Sequence, residues 1–283
     1  MSISIILAIV FPVISVLLFK EFEKKNIEAL PAIVFNYLGA IVIGLFLFVT
    51  PVQLTEIHQQ DWFYSSLIVG FFFILNFYLI AKTAISHGVS IATFSNKISL
   101  VFPVVFTILY FQEPSNWSKI IGIILALISI YLLTFKRLNK SKNKFFLFPI
   151  FIFVCTGILE SVINYTQKVH FVQENEIGYF VISAFFVSFL LGIGLLFFKK
   201  GAFQIKNILG GLILSISNTF GLYFFVKSLN ENQDSTSVLP IMNIGTLLLA
   251  VLVGFFLYKE KLTARNWVGV FLSIVAIFLL TSF

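Results

Sequence analysis

Charge is scarce in this chain. Only 11% of its 283 residues are charged, whereas 59% are hydrophobic and 37 are phenylalanine. A water-soluble domain of this length does not bury so much apolar surface, so lipid is the expected solvent for most side chains. A single cysteine, Cys155, excludes an intramolecular disulfide framework. The net charge of +7 lies in short segments between apolar runs, which argues against a nucleic-acid partner.

Catalytic groupings are also missing. The three histidines, His58, His87 and His170, fall in loops or at the ends of apolar runs. No Ser/His pair, HExxH motif, paired aspartates or metal-ligand cluster falls at membrane depth, and no Walker A motif is present. The sequence therefore predicts a protein that is not an enzyme, holds no cofactor or metal, and draws its energy from a gradient rather than from ATP.

The chain does contain ten apolar runs long enough to be membrane helices. About 20 apolar residues cross the hydrocarbon core as a helix. The breaks between runs contain Pro51, Gly88, Pro114 and Gly201. We predict an all-α integral membrane protein with ten spans, at about 2–19, 30–50, 62–81, 90–111, 118–135, 146–167, 177–198, 207–226, 236–258 and 266–282.

The second half of the chain repeats the first. Equivalent residues recur at a shift of 145 before one loop and 147 after it. Each copy holds five spans, and an odd number forces the two copies to insert upside-down relative to each other, as in many secondary transporters. We predict a first repeat at 1–136, a basic linker at 137–145 and a second repeat at 146–283. The matched pairs include Tyr78/Tyr223, Lys82/Lys227, Asn96/Asn243, Glu113/Glu260, Gly122/Gly269 and Ala126/Ser273.

Lysine and arginine are distributed unequally between the two sides of the predicted membrane. Fifteen of them follow odd-numbered spans, and three, at positions 119, 168 and 227, follow even-numbered spans. Because positive loops stay in the cytoplasm, this bias predicts a plasma-membrane protein, in a bacterium an inner-membrane protein, with both termini outside.

Near the end of each half stands a helix that ends in Glu, followed by a short loop and a Gly-led helix. The two copies read YFQEPSNWSKIIGIILALISIYLL and FLYKEKLTARNWVGVFLSIVAIFLL. With the layout of five plus five spans, this signature resembles the drug/metabolite transporter (DMT) superfamily, in particular proteins built from two EamA repeats. The resemblance covers nearly the whole chain. It implies inverted repeats around a central cavity lined by spans 1, 3, 4, 6, 8 and 9, with spans 5 and 10 as scaffold. It also implies cytoplasmic termini, from which the charge bias of this chain departs.

Two ionisable residues lie well inside predicted spans. A charge there costs at least about 2.5–3.5 kcal/mol, so it usually faces a cavity, a partner or water. Lys97 lies in span 4 and Glu160 in span 6. Their depths, counted from the starts of their spans, differ by about 8 residues or ~12 Å, which favours two separate charges facing one cavity over a direct ion pair. A zwitterion would then place its carboxylate at Lys97 and its ammonium at Glu160, or Glu160 would carry a proton in each cycle. The structural alternatives are snorkelling of Lys97 and a water-mediated or backbone contact of Glu160.

Amides and tyrosines occur in the same spans. Asn96 and Asn243 are repeat-equivalent, and Asn164 lies one turn after Glu160. Buried amides in lipid commonly bond between helices, so both interhelical contact and cavity lining stay open for them. The predicted substrate-binding set is Lys97, Glu160, Asn96, Asn243, Asn164, Asn76, Asn218 and Tyr223.

Other features predict scaffold. Gly122 and Ala126, like Gly269 and Ser273, place small residues one turn apart and allow close helix packing, either between the halves or between subunits of a homodimer. Glu113 is expected to pair with a nearby loop lysine. Pro103 and Pro240 are either bending points or static kinks.

The sequence thus predicts a secondary transporter that works by alternating access, and the resemblance implies export of a small polar or amphipathic, amino-acid-like metabolite. Uptake or exchange of organic anions or sugar-phosphate-like solutes is one alternative. A membrane sensor or scaffold without transport activity is another. The expected partners are the lipid bilayer, the small-molecule substrate and a gradient of protons or of the substrate.

Overall fold

A computed structural model describes residues 2–47, 57–87, 89–113, 116–134, 147–170, 176–197, 203–232, 234–259 and 262–281. These residues form eleven helices and no β-strand. The helices are α1 (Ile3–Lys24), α2 (Ala29–Leu47), α3 (Phe63–His87), α4 (Val89–Ile98), α5 (Val101–Tyr110), α6 (Trp117–Thr134), α7 (Leu147–Val169), α8 (Glu176–Phe197), α9 (Ile205–Glu231), α10 (Ser235–Tyr258) and α11 (Ala264–Thr281).

Each of the ten predicted spans contains one apolar helical segment. In the described residues, eight segments are long and apolar enough to cross a membrane, and α1 and α6 supply two shorter apolar stretches, Ile3–Phe19 and Trp117–Leu133. One of the eight, Ala92–Tyr110, runs through α4 and α5 together. The prediction of an all-α integral membrane protein is confirmed.

Span 4 was predicted as one helix over 90–111, and this is wrong. It divides at Ser99–Leu100 into α4 and α5. Proline has no N–H to donate to the carbonyl four residues earlier, and its ring crowds that carbonyl, so Pro103 weakens the helix at Ser99. The chain passes the break with shorter i to i+3 bonds, such as Phe102 N to Ser99 O at 2.9 Å. Lys97 consequently lies in the last turn of a half-helix.

Helix packing follows the repeat. α1 packs on α9 as α7 packs on α3, and α2 packs on α9 as α8 packs on α3. Likewise α1 contacts α10, while α7 contacts both α4 and α5. Each of these helix contacts in one half therefore has an equivalent contact when the two halves are swapped. The division of the chain into 1–136, 137–145 and 146–283 stays a prediction, and residues 135–146 lie outside the described residues.

The small-residue faces of α6 and α11 pack against each other. A Cβ added at Gly122 would lie 2.9 Å from Leu280 Cγ, and one added at Gly269 would lie 2.9 Å from Leu133 Cγ. Each glycine is therefore matched to a leucine on the opposite helix. Of the two interpretations, packing between the halves is the one observed, and it joins the ends of the two repeats into one scaffold.

Candidate functional site

Asn243 on α10 connects the two membrane-embedded charges. The Lys97 ammonium on α4 donates to Asn243 Oδ1 at 3.2 Å. The Asn243 amide nitrogen donates to Glu160 Oε1 and Oε2 on α7 at 3.5 and 3.4 Å, and to the Leu239 carbonyl of its own helix at 3.3 Å. One neutral amide thus presents an acceptor to the cation and a donor to the anion. We call Lys97, Asn243 and Glu160 the charge relay.

The relay is more compact than the sequence predicts. Asn96 Nδ2 donates to Thr156 Oγ1 at 3.0 Å, which brings the Asn96 turn of α4 level with Thr156 on α7. Lys97 is then level with Gly157, and Glu160 lies only three residues, or about 4.5 Å, further along α7. The predicted separation of ~12 Å is wrong because it was counted from span starts, whereas helix packing sets the register. The expectation that no direct ion pair joins the charges holds: the salt bridges of the described residues do not include a Lys97–Glu160 pair.

Burial differs within the relay. Asn243 is only 4% exposed, while Lys97 and Glu160 keep intermediate exposure. Lys97 also stands at the negative end of the α4 dipole, where a cation is favoured. Next to it, Phe102 at the start of α5 packs onto Gly157, where an added Cβ would lie 2.5 Å from the phenyl ring. The helix break and this close contact hold Lys97 beside α7.

Asn96 and Asn76 are brought together elsewhere. Thr156 accepts from Asn96 and in turn donates from Oγ1 to Asn76 Oδ1 at 3.1 Å. This chain joins α4, α7 and α3 and leaves Asn96 and Asn76 as interhelical contacts beside the relay.

Asn164 takes part in a third polar contact, between α5, α7 and α10. Its Nδ2 donates to Thr107 Oγ1 at 2.7 Å, and its Oδ1 accepts from Ser235 Oγ at 2.7 Å. All three residues are fully buried. Asn164 therefore links three helices one turn beyond Glu160.

Tyr223 and Asn218 lie on α9. Gln167 Nε2 on α7 donates to Asn230 Oδ1 on α9 at 3.4 Å. Glu160 precedes Gln167 by seven residues, and Tyr223 precedes Asn230 by seven, so Glu160 and Tyr223 lie at similar depth. Asn218 lies more than one turn earlier on α9. Its Nδ2 is buried without a hydrogen-bond partner among the described residues. The described hydrogen bonds do not connect either residue to the relay.

Beyond the Asn164 contact lies a cluster of charged and polar groups, at the ends of α5 and α7 and the start of α10. Glu113 accepts from the backbone N–H of Ser235 at 3.2 Å and of Thr236 at 2.8 Å. It also binds the Thr236 hydroxyl and forms an ion pair with Lys168. Glu113 pairs with a lysine as expected, but Lys168 lies in the last turn of α7 and not in a loop. Glu260, the repeat equivalent of Glu113, lies outside the described residues. We call Glu113, Lys168, Ser235 and Thr236 the Glu113 cluster.

The sequence analysis missed Thr156, Thr107, Ser235 and Thr236. Serine and threonine in apolar helices commonly bond their own backbone, as Thr246 does to Met242 O at 2.7 Å, so their presence carries little signal. A usable signal would have been one-turn spacing to predicted site residues, since Thr156 precedes Glu160 by four positions. Among the described residues, no group of three or more His, Cys, Asp or Glu side chains is placed to hold a metal.

Fold and site together define a helical integral membrane protein with a polar, charged centre between its two halves. Residues 2–135, just under half of the chain, match the EamA-like transporter family, so this part of the chain is similar to drug/metabolite transporters. A Haemophilus influenzae protein described as uncharacterized is 29% identical over 289 residues, covering 98% of this chain and 97% of the relative. A crystal structure matches 98% of this chain and 95% of its own with a TM-score of 0.72, and its 11% identity makes it similar in fold alone.

Proposed function

We propose that the chain is a secondary transporter that exports a small zwitterionic, amino-acid-like metabolite by alternating access. The observation that carries the proposal is the charge relay, in which one amide stands between a membrane-embedded ammonium and a membrane-embedded carboxylate. The match of residues 2–135 to a transporter family supports the class of protein, and the relay supports the kind of substrate.

Asn243 has the polarity that a zwitterion would need in order to replace it. Its carbonyl oxygen faces Lys97, where a substrate carboxylate would bind, and its amide nitrogen faces Glu160, where a substrate ammonium would bind. Each exchange would replace a bond between an ion and a neutral amide with an ion pair of opposite full charges, whose Coulomb attraction is stronger at low dielectric. In the absence of substrate, Asn243 keeps the two charges satisfied.

The same geometry disfavours the organic-anion and sugar-phosphate alternative. Glu160 shares Asn243 with Lys97, so an anion at Lys97 would approach a like charge. A net-neutral zwitterion satisfies both charges at once, whereas a monovalent ion leaves one of them uncompensated in a low-dielectric site.

Movement between the two access states would use the break in span 4. Lys97 lies two residues before Ser99–Leu100, and α10 carries Pro240 three residues before Asn243. Lys97 and Asn243 are therefore each next to a place where the helix would bend at low cost. A gradient of protons or of the substrate would drive the cycle, with Glu160 as the candidate proton carrier.

Reconstitution in liposomes tests this function. The panel holds zwitterionic amino acids, their amine-only and carboxylate-only analogues, and sugar phosphates, each with and without a pH gradient. Wild type should move only the zwitterions, and Lys97→Gln and Glu160→Gln should lose about 10–100-fold in transport at low substrate, since each loses one charge-assisted contact. Lys82→Gln is the matched control, because Lys82 is exposed on α3 with its ammonium 5.6 Å from the Tyr78 ring.

The variants also separate the alternatives. Transport unchanged in both site variants would disprove the site assignment. Retained exchange with lost gradient-driven transport in Glu160→Gln would identify Glu160 as the proton carrier. Sugar-phosphate transport by wild type would favour the anion carrier, and no transport of any solute would favour a sensor or scaffold.

The predicted orientation has its own test. Cysteines placed in the 136–144 segment should resist a membrane-impermeant thiol reagent added outside intact cells and should react in inside-out vesicles. Reaction from outside would place both termini in the cytoplasm.

A further inference from the structure

The Glu113 cluster lies about two helical turns beyond the charge relay, at the end of α7 and the start of α10. We propose that this cluster is a gate of the transport path, closed in this structure, in which a residue of the first half caps the start of α10 in the second half. The inference rests on the alternating access of the proposed function, but its test requires no substrate.

The start of α10 depends on Glu113. The first N–H groups of a helix have no partner within the helix and carry its positive dipole end. Asp234, the residue that precedes α10, makes no capping hydrogen bond with its side chain, and its carboxylate instead binds Lys119 at 2.7 Å. Glu113 supplies the missing acceptors through both of its carboxylate oxygens. The cap therefore exists only while the end of α5 and the start of α10 are together.

The two charged side chains of the cluster are shielded from water. The side chain of Glu113 is 8% exposed and that of Lys168 is 13% exposed. The fully buried Thr107–Asn164–Ser235 contact forms a second layer between the cluster and the relay. Two polar layers thus close this end with hydrogen bonds that water can replace when the helices separate, which allows the closure to be reversed.

The gate and the relay are on the same two helices. On α10, Asn243 follows Ser235 by eight residues, and on α7, Lys168 follows Glu160 by eight residues, or about 12 Å in each helix. α7 and α10 are therefore tied together at the relay and again at the gate. When a substrate replaces Asn243 at Glu160, the tie at the relay is lost and only the gate layers still hold α10 against α7. Binding at the relay would in this way favour opening at the Glu113 end.

Thiol accessibility tests the gate. Ser161→Cys serves as the reporter in a Cys155→Ser background, because Ser161 follows Glu160 and its hydroxyl donates to the Gly157 carbonyl of its own helix at 2.7 Å. A charged, impermeant thiol reagent is added to right-side-out and inside-out vesicles in turn. With Glu113→Gln, we expect labelling about tenfold faster from the Glu113 face and slower from the opposite face. Glu21→Gln is the matched control, since Glu21 forms an exposed ion pair with Lys24 at 2.6 Å at the end of α1.

A charge swap distinguishes the cap from a simple ion pair. Glu113→Lys combined with Lys168→Glu keeps opposite charges but places no acceptor at position 113 for the α10 N–H groups, so labelling should stay fast. Wild-type labelling in the swapped protein would overturn the capping role, and unchanged labelling in a monodisperse Glu113→Gln protein would overturn the gate. If labelling responds as expected but no zwitterion is transported, the gate stands and the proposed substrate fails.

Discussion

Asn96 and Asn243 occupy the same position in the two halves and yet have different partners. Asn96 donates to Thr156, which passes the bond on to Asn76, so the first-half amide joins neutral side chains of three helices. Asn243 bonds an ammonium and a carboxylate. The repeat therefore places an amide at the equivalent position twice, and the surrounding residues decide whether its partners are neutral or charged.

Asn96 and Asn243 have different partners because the residues around them differ between the two halves. At a shift of 147, Lys97 corresponds to Ile244, which is fully buried against Ala126 and Ala276. Glu160 corresponds to the 13–15 segment of α1, which contains no charged residue. Each of the two charges thus has an uncharged equivalent in the other half. The residues that match between the halves include those of the α6–α11 scaffold, whereas the two charges of the candidate site have no charged equivalent in the other half.

The largest expected effect comes from removing this asymmetry of charge. Lys97→Met or Glu160→Gln alone leaves one membrane-embedded charge without its counterpart and should cost about 2–3 kcal/mol, less than the ~3–5 kcal/mol of a fully buried pair because both side chains are partly exposed. The double variant should be more stable than either single variant while remaining inactive. Thermal unfolding in detergent with a parallel transport assay measures both quantities, and additive losses of stability would show that the charges do not interact.

The fold could be predicted from the sequence because the hydropathy of a segment directly indicates whether it lies in lipid. The ten spans were found, but α3 and α9 continue past the predicted ends at 81 and 226 to His87 and Glu231. Hydropathy falls at Lys82 and Lys227, whereas helical hydrogen bonding does not need apolar side chains. Pro103 was named as a bending point, yet the full break it produces depends on its exact place in the packed helix.

The candidate site could be predicted from the sequence only in part. Lys97, Glu160 and Asn243 were identified because charges and amides are costly in lipid and therefore rare. Their mutual arrangement was not predicted, because helix register depends on contacts such as Phe102 on Gly157 that no local pattern records. Asn218 illustrates the converse: its type suggested the site, but its position on α9 gives it no described bond to the relay.

Replacing each of the two equivalent asparagines, Asn96 and Asn243, with alanine tests whether their roles differ. Asn243→Ala removes the described side chain that bonds both Lys97 and Glu160, so these two charges are no longer held in position before the substrate arrives, and initial transport rates at low substrate should fall about tenfold or more. Asn96→Ala removes one neutral interhelical bond and should lower stability by about 1 kcal/mol with transport changed less than about threefold. Proteoliposome transport and thermal unfolding provide the two measurements. Equal losses of transport would show that both amides belong to the site.

The smallest expected effect is at the scaffold, where the halves should respond alike. Gly122 and Gly269 meet leucines of the opposite helix at the same distance, since a Cβ at either position would lie 2.9 Å from a leucine Cγ. Extra methyl groups in a packed contact cost about 1–3 kcal/mol, so Gly122→Val and Gly269→Val should lower the free energy of unfolding by similar amounts. Neither should alter substrate preference, because α6 and α11 carry no relay residue. Thermal unfolding of the two variants side by side measures the match, and a loss confined to one half would mean that the scaffold is as asymmetric as the site.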